Sequence, residues 1–258
     1  MTASLQAIYR YPVKGLSPEA LARAALSPGA TLAADRLYAI ENGPSGFDPA
    51  KPAHLSKTRF LMLMRDEKLA SLDTSFDDAT HRLTIRQDGA VKAQGDLRSE
   101  DGRSEIERFF AHFCAADLKG PPRILQSPGH SFSDVAAKVV SIINLASVAA
   151  IEKIVGAAID PLRFRGNLHV TGWPAWHEFD LLGETLLVGA ARLKVVKRIT
   201  RCAATNVKPG EGIRDMEIPK TLMRNFDHMD CGIYAEVIAG GEIAPGDEIS
   251  RAQPGLPL

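Results

Sequence analysis

Four runs after residue 160, "FRGNLHVTG", "ETLLVGAARLKVVKRIT", "CGIYAEVIAG" and "EIAPGDEIS", are rich in β-formers and punctuated by Gly or Pro. Short β-type runs bounded by turn formers read as strands, and several in succession suit a closed or partly closed β-barrel. No internal repeat or low-complexity tract competes with that reading.

The first half carries the same pattern in a looser form. "LQAIYRYPVK" and "DRLYAIE" are β-rich and separated by the Pro28-Gly29 turn signal, and residues 42–56 collect Gly43, Pro44, Gly46, Pro49 and Pro52 as a loop. "ASLDTSF", "HRLTIRQ" and "AVKAQ" follow as short strands, with Asp77-Asp78 and Asp88-Gly89 as hairpin turns. Two segments have helical period instead. In "SEIERFFAHFCAADL", Ser104 and Glu107 have capping-box spacing, and Ile106, Phe109, Phe110, Phe113 and Cys114 share one face, which makes Cys114 a packing residue. The second helix is expected from the N-cap Asn144 to the stop at Gly156. The expectation is an α+β chain dominated by β-structure, divided at "GPP" into residues 1–120 and 121–258.

Composition narrows the function classes. Lys plus Arg and Asp plus Glu are 31 each, so the chain is not built to coat a polyanion, and any basic site must be local. The most apolar late segment, "KVVSIINLASVAAIEKIV", is interrupted by Ser141, Asn144, Ser147, Glu152 and Lys153, so neither nucleic acid nor a membrane is an expected partner. The N-terminus lacks the basic and apolar regions of a signal peptide. Cys114, Cys202 and Cys231 make no CxxC pair and leave an odd thiol, so a reducing cytoplasm is the expected setting.

Strand alternation through "PLRFRGNLHV" would put Arg163, Arg165, Asn167 and His169 on one face. Arginine's planar fork suits a phosphate and Asn both donates and accepts, yet a solvated face laced by salt bridges has the same spacing. The turn from Asn144 to Ser147 offers free N–H donors at a helix start, and Lys14, Arg36 and Lys57 add basic residues at strand or loop ends. In "KRITRCAAT", Cys202 follows Arg201, with Lys197 and Arg198 close by. A neighbouring cation favours a thiolate, which attacks carbon or binds a soft metal, but a buried inert cysteine fits the residues equally well. His228 and Cys231 could form half of a zinc site with Cys202, although the paired spacing is missing. Trp173 and Trp176 could line a substrate pocket. There is no G-x-S-x-G, Walker loop or G-x-G-x-x-G entering a helix.

Taken together and in order, these stretches resemble a known family. "AIYRYPVKGLSPEAL" with "DRLYAI" is similar to the β-barrel-like region that precedes MOSC domains. "RFRGNLHV", "LLGETLLVGAARLKVVKRITRCAATNVKPGEG", "CGIYAEV" and "GEIAPGDEI" resemble the MOSC domain itself, the molybdenum cofactor sulfurase C-terminal type. The resemblance implies a molybdenum cofactor, a molybdenum–pyranopterin, with Cys202 as the metal's thiolate ligand and the catalytic residue. It implies that Lys14, Arg36, Arg165 and Asn167 cradle the pterin and its phosphate; Arg201, Lys57, Asn144 and Ser147 rest on shorter matched motifs. Pyridoxal phosphate is a further ligand implied at family level. Tyr38 stands where many relatives have Trp, and Lys208 where an acidic residue often precedes the proline.

Characterised relatives of the amidoxime-reducing kind remove oxygen from N-hydroxylated small molecules. The chain has no ferredoxin-like cysteine set, so electrons would come from a separate protein of ferredoxin, flavin or b-type cytochrome kind. The other implied role is a cofactor carrier or a sulfur-transfer module working through Cys202 without turnover. His177, Glu178, Asp215 and His228 are candidates, by chemical type, for the acid that assists oxygen release.

Overall fold

The computed structural model describes residues 2–252. In chain order the strands and helices are β1 (Ala3–Arg10), β2 (Glu19–Leu21), β3 (Ala24–Leu26), β4 (Ala39–Ile40), β5 (Asp73–Asp77), β6 (Arg82–Gln87) and β7 (Ala90–Asp96), then α1 (Glu100–Phe113). After them come β8 (Ile124–Leu125), β9 (Val140–Asn144), α2 (Leu145–Val155), β10 (Leu168–Thr171), β11 (Thr185–Val188) and β12 (Ala191–Thr200). The last are α3 (Ile218–Phe226), β13 (Asp230–Ala239), β14 (Gly241–Ile243) and β15 (Glu248–Arg251). The chain is therefore β-dominated, with three α-helices among the described residues.

A closed barrel forms the centre. Its strands run β1, β10, β9, β13, β12, β11, β15 and back to β1, with β2 hydrogen-bonded to the outer edge of β1. All neighbours in the ring are antiparallel except β9 and β10, which are parallel and joined by α2 as their crossover. Alternating residues fill the interior: Leu5, Ile8, Val140, Ile142, Leu168, Val170, Leu193, Val195, Ile233 and Ala235 are all buried in one cluster. Each large apolar side chain so buried contributes about 1.5–3 kcal/mol.

A second layer covers one side. β5, β6 and β7 form an antiparallel meander, as the sequence pattern predicts, with Asp88 and Gly89 at the β6–β7 turn. The meander and α1 enclose Phe76, Leu83, Ile85, Ile106, Phe110 and Cys114. Cys114 is fully buried there, as its helical position implies. Val207 joins this cluster from the distal half of the chain. The division expected near residue 120 thus does not separate two sheets, because β1 and β2 lie in the barrel with the C-terminal strands.

The start of α1 differs from the sequence expectation. Its N-cap is Ser99, whose hydroxyl accepts from Gly102 N at 3.0 Å, five residues before Ser104. Glu107 makes no capping box; its carboxylate accepts from Ile124 N at 2.7 Å and ties α1 to β8. Gly102 reads as a helix breaker, but it is needed inside α1: a Cβ there would lie 2.2 Å from Asp96 O, so only glycine lets the helix approach β7 this closely. The second helix matches expectation, with the Asn144 side chain accepting from Ala146 N at 3.1 Å and Gly156 at the stop. Among the described residues no helix is long and apolar enough to cross a membrane.

The strand expected through residues 163–169 is the largest correction. Asp160 accepts from Leu162 N at 2.8 Å and Pro161 begins a short 3-10 turn, Pro161–Phe164. Arg165 then takes a left-handed backbone, φ 50, and β10 begins only at Leu168. The four polar side chains consequently do not form one strand face, although Arg163, Arg165 and Asn167 still line one cavity and only His169 lies apart from it.

Candidate functional site

The site grows from two laced segments of the proximal half. Arg36 N donates to Tyr11 O at 2.7 Å, Tyr38 N to Pro12 O at 3.0 Å, and Lys14 N to Tyr38 O at 2.8 Å. Asp35 completes the knot by accepting from Tyr11 N at 2.8 Å. Lys14 and Arg36 therefore emerge side by side. From the distal half, the 3-10 turn delivers Arg165 to the same place, where Arg36 Nη2 donates to Arg165 O at 2.9 Å.

Cys202 ends this arrangement on the opposite wall. It follows β12 and opens a short turn, Ala203–Asn206, and its carbonyl accepts from both Thr205 N (3.1 Å) and Thr205 Oγ1 (2.9 Å). That double bond fixes the residue's backbone while the side chain stays half-buried. Lys57 Nζ donates to its sulfur at 3.3 Å. The other two cysteines are buried, and burial pushes both thiols up to about 12. Cys202 is thus set apart by position from Cys114 and Cys231.

Between these walls lies a cavity of about 270 Å³. Eight basic residues line it, Lys14, Arg36, Lys57, Arg163, Arg165, Lys197, Arg198 and Arg201, against two acidic ones, Asp35 and Asp134. The crowding is visible in the titration of its groups. Burial brings Arg165 down to about 10, and the charge of Arg36 pushes it the same way. Burial lowers Lys14 as well, opposed by Asp134 and reinforced by Arg36 and Arg165. Asp134 sits between two ammonium groups: it accepts from Lys14, and lies 3.6 Å from Lys57. Desolvation by the cleft wall raises its pKa, but the two lysines outweigh it and hold the carboxyl at about 2.

The sequence-derived residues divide into three groups. Lys14, Arg36, Lys57, Arg165, Asn167, Arg201 and Cys202 all line the one cavity. Two of them have their polar atoms committed elsewhere. Asn167 accepts from Ser141 N and Oγ at 3.1 and 2.8 Å and donates to Tyr9 O at 3.1 Å, so its amide clamps β9 to β1. Arg201 directs its guanidinium at the carbonyls of Cys231 and Phe164 and brings the cavity charge more than donors. Gly232 makes room for it, since a Cβ there would lie 2.5 Å from Ile142 O and 3.0 Å from Arg201 Nη2.

Asn144 and Ser147 do not reach the cavity. Both are fully buried and donate to the Glu178 carboxylate, at 2.7 and 2.9 Å, behind the barrel wall. The reason is the cap itself: Asn144 Oδ1 holds α2 from outside the barrel, and its amide group turns to Glu178 and Pro174 O. Trp173 and Trp176 also lie away from the cavity, as do His177, Glu178, Asp215 and His228. Asp215 pairs with Arg163 at 2.6 Å, and Trp173 packs in the barrel core. His169 points away too, onto the Tyr9 ring, where burial lowers its pKa to about 4. Among the described residues no group of three or more His, Cys, Asp or Glu side chains could hold a metal by itself, and Cys231 is buried away from Cys202's cavity.

Asp134, Tyr234 and Thr205 were not singled out by sequence reasoning. Asp134 lies in "SFSDVAAK", which has neither periodicity nor a motif to draw attention to it. Thr205 alone had a signal, its place three residues after Cys202.

Comparison with known families decides the identity. Residues 2–119 match the family described as the MOSC N-terminal beta barrel domain, and residues 127–250 match the MOSC domain. The chain belongs to the MOSC-domain family. This family is associated with binding of the molybdenum cofactor. No curated protein matches the chain. Among solved structures, the MOSC chain is similar to the YuaD protein from Bacillus subtilis, at 13% identity and TM-score 0.44, covering 96% of this chain and 94% of that one. It is similar to YiiM from Geobacillus stearothermophilus at 20% identity and TM-score 0.36, covering 45% of this chain and 55% of that one. YiiM from Escherichia coli gives 19% identity and TM-score 0.33 over 44% and 54%.

The donor set of this MOSC chain fits the family's group. A phosphorylated ligand needs cationic forks that are not already neutralised, and of the Arg165 donors only Nη1 is engaged, on Leu16 O at 2.9 Å. A soft metal needs a reachable sulfur, and Cys202 supplies one at the same cavity.

Proposed function

We propose that the chain binds the molybdenum cofactor in this cleft and works as an oxidoreductase on N-hydroxylated or N-oxide-type small molecules, drawing electrons from a separate protein. The observation that carries the reading is the half-buried Cys202 sulfur at a cavity lined by eight basic residues, with the other two cysteines sealed in cores. Cys202 would ligate the metal, and Lys14, Arg36 and Arg165 would hold the phosphate of the pterin. The cofactor, held by these residues, would supply two-electron reduction of the substrate N–O bond, with two electrons from the partner protein and two protons taken up and water released.

The chain's own residues contribute position and charge. Thr205 fixes the Cys202 backbone, so the sulfur is presented without reorganisation. Lys57, beside that sulfur, would meet the negative charge of a thiolate ligand, and Asp134, between Lys57 and Lys14, offsets the repulsion of the two ammonium groups. Arg201 adds positive potential to the same wall.

Metal analysis after anaerobic purification from a cofactor-producing host tests the reading. The parent chain is expected to carry molybdenum, and Cys202→Ala to lose it while keeping the melting temperature of the cofactor-free parent. A reduced parent sample is expected to convert benzamidoxime to benzamidine. Equal molybdenum in both proteins would remove Cys202 from the metal. Cofactor retained without turnover would favour the carrier role, and a persulfide on Cys202 would favour sulfur transfer.

A further inference from the structure

Two charged guanidiniums share one aromatic ring at the cleft wall. The Arg165 guanidinium carbon lies 4.1 Å and that of Arg36 4.5 Å from the centroid of Tyr11, which is 0% exposed. Both arginines have a left-handed backbone at φ 50, a conformation unfavourable for a non-glycine residue that persists where surrounding contacts impose it. Tyr11 is itself held on both sides: its N–H donates to Asp35, the carboxylate that pairs with Arg36, and its carbonyl accepts from Arg36 N. Its hydroxyl is buried and has no hydrogen-bond partner. Among the described residues it is the ring, and not the hydroxyl, that meets the two arginines.

Resting on the cofactor reading above, we infer that Tyr11 is a positioning residue whose ring anchors both Arg36 and Arg165 at one oxyanion-binding site. Two like charges brought together under low dielectric repel, and burial already works against the charged form of Arg165. The usual remedy is a carboxylate between them, which would occupy the very donors a ligand phosphate needs. A ring face attracts a cation through its quadrupole and uses no hydrogen-bond donor. Arg36 is partly neutralised by Asp35, while Arg165 has the ring and a single carbonyl. The pair is thus stabilised with the Arg165 fork still open to an anion. The ligand class is a phosphate or a group of the same charge and shape, gripped by the open Arg165 fork, with Arg36 and Lys14 adding positive charge alongside.

The test replaces the ring's electrostatics without changing its shape. Full-length protein would be made as the parent, as Tyr11→Phe, and with pentafluorophenylalanine in place of Tyr11. Two readouts are used: inorganic pyrophosphate affinity by calorimetry, and the side-chain Nε–H signals of 15N-labelled arginine in the ligand-free protein. Tyr11→Phe is expected to bind pyrophosphate within about twofold of the parent and to keep the ring-shifted signals of Arg36 and Arg165. The fluorinated ring, with its face potential reversed, is expected to bind about tenfold more weakly and to release those signals toward free-arginine positions. Identical behaviour of the fluorinated and Phe proteins in both readouts would overturn the assignment, as would a loss in Tyr11→Phe equal to that of the fluorinated ring. The arginine signals need no ligand, so a protein that shows them but never acquires molybdenum would count against the cofactor reading alone.

Discussion

Cys202 and Asp134 show what single residues do here and how differently they announce themselves. Cys202 stands between Arg201 and two alanines at a strand end, and that context was enough to mark it out, although not to choose between ligand and packed thiol. In three dimensions Cys114 and Cys231 are sealed off and Cys202 is not, and the ligand role proposed above draws its support from that difference. Asp134 became meaningful only once Lys14 and Lys57, distant in sequence, were seen to flank it. Its pKa is depressed to about 2, so what it contributes to stability is complete above about pH 4 and is lost as the pH falls through 2. Asp134→Asn should therefore lower the denaturation midpoint at pH 6 to 7 and narrow its gap to the parent as the pH approaches 2. A gap of constant size across that range would show that the carboxylate's charge is not what matters.

At the level of elements, periodicity located α1, α2 and the β5–β7 meander, because their apolar residues repeat locally and their turns use Asp, Gly and Asn. It failed where a local cap overrode a plausible alternation: Asp160 and Pro161 begin a tight turn, so Arg163 to His169 never become one strand face. It also misplaced the start of α1, since Gly102 is disfavoured in an isolated helix yet required at this crossing. Gly102→Ala makes a sharp test. In an exposed helix the change would stabilise by up to about 1 kcal/mol. Here its methyl group would meet Asp96 O at 2.2 Å, and the expected result is a loss of about 1–3 kcal/mol in chemical denaturation, with α1 amides exchanging faster than those of the barrel. A gain in stability would mean that α1 and β7 can part without consequence.

For the whole molecule, the balance of 31 basic and 31 acidic residues conceals a local excess of positive charge at the cleft, a distribution that draws anionic ligands to one place on an otherwise neutral surface. The cleft is also a seam, with Lys14, Arg36 and Lys57 from one half facing Arg165, Arg201 and Cys202 from the other. The sequence carried both halves in order, but not that β1 closes the distal barrel, because pairing between residues so far apart leaves no local pattern. Residues 121–258 made alone should consequently show no cooperative unfolding transition, since Leu5 and Ile8 leave the core and β10 and β15 lose a shared neighbour. A sharp two-state transition in that fragment would mean that the barrel closes without β1. The pairing of Ala3 with Ile249 sets a timetable as well. At about 5–20 residues per second, a ribosome finishes the first strand roughly 12–50 s before the last one that must lie beside it. Until β15 emerges, then, the edge of β1 that it covers has no partner, and the barrel is sealed only when that late strand arrives.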